Sequence, residues 1–194
     1  MTSLADESIF TIYRDAVDNF SRGVFVELGC FQGASTIYLA KLIKDAGKSI
    51  VIYAVDKWEN SIAPGVEGSI FHEFWGNVMI AGVEQFIRPI QADSADAAKL
   101  FADGSVDFCF IDADHSYNGF KRDLEGWFPK IKSGGWIGGH DYNQDVQRVC
   151  HDILIDKMGM VVERVRGEKI ENDYFPGDVV CVVDKGANSW LTIL

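Results

Sequence analysis

Short apolar runs alternate with amphipathic stretches along most of the chain. The runs are rich in β-branched residues and end at acidic residues, which is typical of strands buried on both faces of a parallel sheet. Such runs predict strands at 24–28, 50–55, 86–92, 106–111 and 136–141. Apolar residues at helical spacing predict helices at 4–20, 36–46, 70–82, 95–101, 120–131 and 146–158, with Gly134 and Gly135 as the exit of the fifth helix. This alternation predicts an α/β domain with helices on both faces of the sheet.

The last part of the chain predicts two further strands, at 160–165 and 179–183, separated by a polar loop at 167–177. Because only a loop precedes the last strand, we expect it to run antiparallel to its neighbour. The prediction is therefore a single Rossmann-like, doubly wound domain with a mostly parallel seven-stranded sheet and an antiparallel last strand.

A glycine-bearing turn joins the first predicted strand to the helix that follows it. Gly29 and Gly33 allow the backbone to bend there and to approach a ligand. A Walker phosphate loop would continue with Lys, whereas Ala34 follows Gly33, and a dinucleotide fingerprint would have glycine at the position of Phe31. Glu27 would also repel phosphate. A carboxylate at this strand end suits a ligand with an ammonium group or hydroxyls, which points to S-adenosylmethionine.

The segment Glu27-Leu-Gly-x-x-x-Gly-x-Ser35 resembles the first motif of class I S-adenosylmethionine-dependent methyltransferases, particularly of the catechol and caffeoyl-CoA O-methyltransferase type. The segments 106–117, 120–124 and 134–142 are also similar to bacterial small-molecule and sugar O-methyltransferases. The resemblance implies O-methylation of a small hydroxylated acceptor, such as a sugar or a phenol. The resemblance spans about residues 23–143, which would be the cofactor-binding core, between an N-terminal helix at 1–20 and a C-terminal helix and strands at 144–194 that the residue pattern predicts. By matching position, the cofactor-binding residues are Glu27, Ser35, Asp56, Ser94 and Asp112.

Five predicted strands end in an acidic residue: Glu27, Asp56, Asp93, Asp112 and Asp141. The C-terminal ends of parallel strands meet at one edge of a sheet, so we expect these carboxylates to line one rim. Asp56 is placed to accept hydrogen bonds from both ribose hydroxyls of the cofactor. Asp93 and Ser94 lie one strand further out, where adenine would bind, although Asp93 could equally cap the helix at 95. Ser35 and the amides of the first turn would hold the methionine carboxylate.

His115 stands three residues after Asp112, where the catechol-type enzymes have a catalytic lysine. The resemblance therefore implies that His115 is the general base, and the unperturbed pKa of about 6.5 suits histidine to this role. The alternative is that His115 caps the helix that begins near residue 117, in which case His140 is the base. Asp114 would orient the His115 ring or bind the cofactor.

The resemblance also implies a divalent cation such as Mg²⁺ at Asp112 and Asp141. In the catechol-type enzymes Asn follows the second Asp directly, whereas here Tyr142 comes before Asn143. The third ligand is thus Asn143 or His140, or there is no cation and Asp141 only orients a neighbour. The candidate catalytic residues are His115, His140 and Asp141.

The composition and the charge indicate which classes of binding partner the protein could have. The net charge of −11 and the absence of Lys and Arg clusters argue against nucleic acid and favour a small-molecule acceptor. The four cysteines form no Cys-x-x-Cys pair, so neither zinc nor a disulfide framework is predicted. The lack of a signal segment or a long apolar run predicts a cytoplasmic protein without a membrane partner. Residues 190–194 would pack either on their own domain or on a second subunit of a homodimer.

Two other functions compete with methyl transfer. One is a non-catalytic module that binds adenosylmethionine as a structural or regulatory ligand. The other is a nicotinamide-dependent oxidoreductase, which the missing middle glycine of the turn disfavours.

Overall fold

A computed structural model of the chain describes residues 7–59, 70–155, 164–165 and 179–184. The first half contains α1 (Glu7–Asn19), β1 (Arg22–Leu28), α2 (Ala34–Asp45), β2 (Ser49–Asp56), α3 (Phe71–Ala81), β3 (Ile87–Gln91) and α4 (Ser94–Ala97). The second half contains β4 (Val106–Ile111), α5 (Tyr117–Trp127), β5 (Ile131–Gly139), α6 (Gln144–Val149), β6 (Arg164–Val165) and β7 (Val179–Asp184). A π-helical segment, Cys150–Ile155, continues α6.

The strands form one sheet in the order β3-β2-β1-β4-β5-β7-β6. β1 pairs in parallel with both β2 and β4, while β3 and β5 extend the parallel part on either side. β7 is antiparallel to β5 and to β6. Because the chain order reverses between β1 and β4, a crevice opens there outside the C-terminal ends of the strands. The predicted α/β Rossmann-like fold with a parallel sheet is confirmed.

Helices cover both faces of the sheet and bury two hydrophobic clusters. One cluster joins α1, α2 and α3 to the sheet through residues such as Tyr13, Leu39 and Phe74. The other joins α5 and α6 to the opposite face through residues such as Leu124 and Val149. Every residue of β4 is buried, as the continuous apolar run predicts. This two-sided packing fixes the strand ends that form the crevice.

The prediction for residues 120–135 is wrong in its boundary. The helix ends at Trp127, a 3₁₀ turn with Pro129 follows, and β5 begins at Ile131 and runs through Gly134 and Gly135. Proline disfavours helix continuation because it lacks an amide hydrogen and restricts the residue before it. The apolar spacing continues to Ile131 because this strand residue is buried in the same cluster as Leu124 of the helix.

Several predicted segments lie outside the described residues: most of the loop at 57–69, the end of the sixth helix at 156–158, the start of the strand at 160–165, the loop at 167–177 and the tail at 190–194. Among the helices that the structure describes, none has the length and apolar character needed to span a membrane.

Candidate functional site

A cavity of about 360 Å³ opens at the C-terminal edge of the sheet. Its volume is within the range of small-molecule sites. Its walls come from the ends of β1 to β4 and from α5, and the described residues that line it are Gly29, Phe31, Val55, Asp56, Lys57, Glu59, Ala92, Asp93, Ser94, Asp112, Ala113, Asp114 and Arg122. The structure therefore brings the acidic ends of β2, β3 and β4 to one cavity, as the parallel arrangement predicts.

Asp56 holds the turn after β1 in place. Its Oδ2 accepts hydrogen bonds from the amides of Cys30 at 2.8 Å and Phe31 at 2.9 Å, and its Oδ1 accepts one from the amide of Trp58 at 2.7 Å. Phe31 and Trp58 both have positive φ, and the Trp58 indole donates to the Phe31 carbonyl at 2.9 Å. A carboxylate has about four acceptor sites, so three amides leave capacity for a ligand hydroxyl. Asp56 thus has a structural role that the sequence did not suggest, beside the predicted ribose contact.

Gly29 allows the turn to meet the end of β4. It has φ 85°, and a Cβ built there would lie 2.0 Å from the carbonyl oxygen of Asp112. A side chain at this position would push β1 and β4 apart at the crevice. Glycine is therefore required at position 29 because the turn packs against the backbone at Asp112, and not only to let a ligand approach the turn.

Glu27 lies beneath the turn and is fully buried. Its Oε1 accepts hydrogen bonds from the hydroxyls of Tyr13 at 2.9 Å and Ser35 at 2.5 Å. Burial raises the pKa of the Glu27 carboxyl to about 7, although the hydrogen bonds from Ser35 and Tyr13 act in the opposite direction. Glu27, Gly33 and Ser35 are not among the described residues that line the cavity. The structure places these three predicted residues behind the cavity wall.

Asp93 combines a cap with two ion pairs. Its side chain accepts a hydrogen bond from the amide of Ala95 at 3.1 Å, which confirms the alternative prediction of a helix cap. Lys57 at 2.9 Å and Arg122 at 3.3 Å both contact its Oδ2. The hydrogen bond from Lys57 is the main reason that the pKa of Asp93 lies below its usual value. Sequence reasoning missed Lys57 and Arg122 because their partner is distant along the chain.

Ser94 is also engaged within the protein. Its hydroxyl donates to Asp123 Oδ1 at 2.5 Å, and its carbonyl accepts a hydrogen bond from the Trp127 indole at 2.9 Å. Asp123 is fully buried, and burial raises its pKa to about 6. The sequence analysis missed Asp123, although its spacing from Phe120 and Trp127 puts it on the buried face of α5. That spacing is the signal that could have found it.

Asp112, His115, His140 and Asp141 form a carboxylate–histidine cluster beside the cavity. Asp112 Oδ1 lies 3.3 Å from His115 Nε2 and 3.4 Å from His140 Nδ1. The Asp141 carboxylate lies 3.5 Å from His115 Nδ1 through Oδ2 and 3.4 Å from His140 Nδ1 through Oδ1. The structure thus brings together all the residues predicted as catalytic or metal-binding, and Asp112 belongs to both the cluster and the cavity wall.

The electrostatics of the cluster favour an ionised Asp112. Burial pushes the pKa of Asp112 upward, but hydrogen bonds and charge from His115 and His140 outweigh it and hold the pKa below its usual value. Asp141 has φ 53°, a left-handed conformation that non-glycine residues rarely adopt and that is often found at functional sites. Asp114 accepts a hydrogen bond from the Ser116 amide at 2.9 Å, which lowers its pKa.

The structure bears on two of the open alternatives. The helix α5 is capped by Ser116, whose hydroxyl accepts a hydrogen bond from the Gly119 amide at 3.2 Å, so His115 is not its cap. The side chain of Asn143 caps α6 through Oδ1 and donates through Nδ2 to the His115 carbonyl at 3.0 Å. Its oxygen is thus engaged at a helix start, which argues against Asn143 as a third metal ligand.

Three residues of the cluster offer a different set of ligands. One ligand atom each from Asp112, His115 and Asp141 lie within 4.8 Å of one another. Two carboxylates and one imidazole suit a divalent cation, and the imidazole favours a first-row transition metal over Mg²⁺. The donor set therefore fits a cation, with His115 in the place that the sequence analysis gave to Asn143 or His140.

Comparison with known structures shows the same fold in several proteins of low sequence identity. An S-adenosylmethionine-dependent O-methyltransferase from Thermotoga maritima has a TM-score of 0.69 and 12% identity, over 98% of this chain and 69% of the other. An rRNA methylase from Streptococcus thermophilus has a TM-score of 0.65 and 12% identity, over 90% and 95% of the two chains. A precorrin 8w decarboxylase from Methanobacterium thermoautotrophicum has a TM-score of 0.63 and 18% identity, over 92% and 89%.

Comparison of the sequence with known protein families identifies one family. No curated protein matches the chain. The methyltransferase domain family matches residues 26–142, which include the turn after β1, the cavity and all four residues of the cluster. Because this match covers more than half of the chain, the protein belongs to the methyltransferase domain family.

Proposed function

We propose that the protein transfers the methyl group of S-adenosylmethionine to a hydroxyl oxygen of a small acceptor, such as a sugar or a phenol. The observation that carries this proposal is the carboxylate–histidine cluster, which adjoins the cavity through Asp112. S-adenosylmethionine supplies an electrophilic methyl group when it is bound. Oxygen acceptors need a group that takes their proton, and the cluster supplies two imidazoles held by carboxylates.

The residues around the cavity fit the cofactor. Asp56 keeps an acceptor site for a ribose hydroxyl, and Asp112 and Asp114 add negative charge that suits a sulfonium and an ammonium group. Glu27 and Ser35 do not line the cavity, but the hydrogen bond between them holds the start of α2 against β1 and so supports the turn that does. The O-methyltransferase of Thermotoga maritima, which shares the fold, supports the same assignment.

His115 is the base in this proposal. Its two ring nitrogens face Asp112 and Asp141, so the ring is held in one orientation at the edge of the cavity. A neutral imidazole donates through one nitrogen only, so the other nitrogen keeps a lone pair that takes the proton of the acceptor hydroxyl, and the carboxylates stabilise the imidazolium that forms. His140 contacts the same two carboxylates and is the rival base.

A divalent cation would change the role of His115. If Asp112, His115 and Asp141 hold a cation, the imidazole nitrogen that coordinates it has no free lone pair for the acceptor proton. The base would then be His140. Removal of metal ions separates the two assignments: turnover that persists after exhaustive chelation leaves His115 as the base, and turnover that is lost and restored by a divalent metal makes His115 a ligand.

The test compares His115→Gln and His140→Gln with His72→Gln, an exposed histidine of α3. Affinity for S-adenosylhomocysteine is measured by calorimetry, and turnover by transfer of a labelled methyl group to a panel of sugars and phenols. We expect His115→Gln to keep its affinity and to lose rate by about a hundredfold or more, the scale of a positioned base. Near-normal turnover of this variant, with a large loss in His140→Gln, would assign the base to His140.

The panel also includes ribosomal RNA, because an rRNA methylase shares the fold. The net charge of −11 disfavours this acceptor, since binding to a phosphate backbone requires clustered positive charge. Binding of S-adenosylhomocysteine without turnover on any acceptor would favour the non-catalytic module. Binding of NAD in place of S-adenosylhomocysteine would overturn the proposal.

A further inference from the structure

The hydroxyl hydrogen of Ser94 is committed to a buried carboxylate. Ser94 lines the cavity, and its Oγ donates to Asp123 Oδ1 at 2.5 Å. A serine hydroxyl has one hydrogen to donate and two lone pairs to accept. Because the hydrogen points to Asp123, the Ser94 hydroxyl can offer only an acceptor to a ligand in the cavity.

Asp123 has an environment that is costly for a carboxylate. It is fully buried, and its Oδ2 has no hydrogen-bond partner among the described residues. Arg122 is the nearest cation, with its Nε 4.0 Å from Asp123 Oδ1 and half of its side chain exposed. An uncompensated buried carboxylate destabilises a protein, so an arrangement of this kind next to a ligand cavity points to a role in binding.

The position of Ser94 in the cavity indicates which part of the ligand it meets. Ser94 follows β3, at one end of the strand order β3-β2-β1-β4, and the carboxylate–histidine cluster begins at Asp112, directly after β4 at the other end. A bound cofactor must direct its methyl group to the cluster, where the acceptor is deprotonated. Its nucleobase then lies toward β3 and Ser94.

We propose that Asp123 sets the base specificity of the cavity, by fixing Ser94 as a hydrogen-bond acceptor for the exocyclic amino group of adenine. This inference rests on the proposed function, since it concerns the nucleobase of the methyl donor. Asp123 does not line the cavity, so it is a positioning residue that acts through Ser94.

The chemistry predicts rejection of a base with oxygen in place of the amino group. In an inosyl ligand the 6-oxo group would face the Ser94 oxygen, and two acceptors would oppose each other. Ser94 could relieve this only by turning its hydrogen toward the ligand, which would break the bond to Asp123 and leave the carboxylate oxygen unpaired in the interior. The expected discrimination is about tenfold or more in dissociation constant, the scale of one unpaired buried polar group.

The experiment measures the dissociation constants of S-adenosylhomocysteine and S-inosylhomocysteine by calorimetry at about pH 8, where Asp123 is ionised because its pKa is about 6. The variants are Ser94→Ala, Asp123→Ala and Asp123→Asn. Asp96→Ala is the matched control, because Asp96 lies on the same helix as Ser94 but is exposed and paired with Lys99. The ratio of the two constants is the readout, since a purely structural defect weakens both ligands alike.

We expect the native protein and Asp96→Ala to prefer the adenosyl ligand by about tenfold or more. Ser94→Ala and Asp123→Ala should bring the ratio close to one, whereas Asp123→Asn should keep it, because the amide oxygen can still accept the Ser94 hydrogen. A native ratio near one, or a native-like ratio in Ser94→Ala, overturns the inference, and the second result does so even if Asp123→Ala fails to fold. If the native protein binds neither ligand, the proposed function itself fails, which is a different result from equal binding of both.

Discussion

The buried carboxylate of Glu27 should make the stability of the protein depend on pH. Glu27 is fully buried in β1, and its pKa is raised from 4.5 to about 7 chiefly by burial. The folded protein therefore keeps a proton on Glu27 that the unfolded chain releases above about pH 4.5. This contribution to stability is present below about pH 4.5 and is lost as the pH rises through about 7.

Replacement by glutamine removes the titration and keeps the shape of the side chain. A rise in pKa from 4.5 to about 7 corresponds to about 3 kcal/mol in total, at about 1.4 kcal/mol per pKa unit. Most of this, about 2–3 kcal/mol, develops between about pH 5 and pH 8. We expect Glu27→Gln to gain that amount relative to the native protein over this interval. Any constant cost of the buried amide cancels between the two pH values.

The measurement is urea unfolding of both proteins at about pH 5 and pH 8. Asp123, whose pKa is raised to about 6, makes stability change in the same direction, but it is present in both proteins and cancels in the comparison. Glu125→Gln is the control, because Glu125 is an exposed glutamate of α5 that pairs with Lys121. A free-energy difference between native protein and Glu27→Gln that stays the same at both pH values would show that Glu27 does not titrate in this range.

Three further predictions concern the edge of the sheet. Asp56→Ala should weaken the binding of S-adenosylhomocysteine by about tenfold or more, through loss of a ligand contact and of three amide hydrogen bonds in the turn, and an unchanged dissociation constant measured by calorimetry would contradict the ligand contact. Gly29→Ala should be far less stable to heat than Gly47→Ala, because both have positive φ but only Gly29 has a backbone atom at 2.0 Å from the new Cβ, and equal melting temperatures would refute this clash. Asn143→Ala should lose about 1 kcal/mol of stability with the α6 cap and should reduce turnover more than cofactor affinity, since Asn143 also holds the His115 carbonyl; an unchanged urea midpoint would contradict the cap.

The arrangement of strands and of their acidic ends could be predicted because both depend on local pattern. Continuous apolar runs predict buried parallel strands, and the rule that such strands end at one edge brings Asp56, Asp93 and Asp112 together. The structure confirms that these three reach one cavity. The structure also brings Asp112 and Asp141, two of the predicted strand ends, together with His115 and His140, which the resemblance to catechol-type enzymes and the end of the fifth strand make candidates for the base.

The features that the sequence did not predict correctly depend mostly on contacts between residues far apart in the chain. Strand position alone cannot show that Glu27 points into the interior toward Tyr13 of α1, behind the wall of the cavity. The role of Asn143 as a cap for α6 depends on where that helix begins, and helix boundaries are the least certain part of a sequence prediction. The helix boundary near Ile131 was wrong because apolar spacing cannot tell a buried strand residue from the next turn of a helix.

The order of the strands also indicates how the ligand extends along the crevice. Three steps between neighbouring strands separate β3, which Ser94 follows, from β4, which Asp112 follows. At about 4.8 Å for each step, these two strands lie about 14 Å apart, so a molecule that reaches from one strand end to the other is extended along the edge of the sheet. A nucleoside or an amino acid alone would occupy one part of the crevice. An elongated conjugate of the two can reach from the base subsite at Ser94 to the carboxylate–histidine cluster.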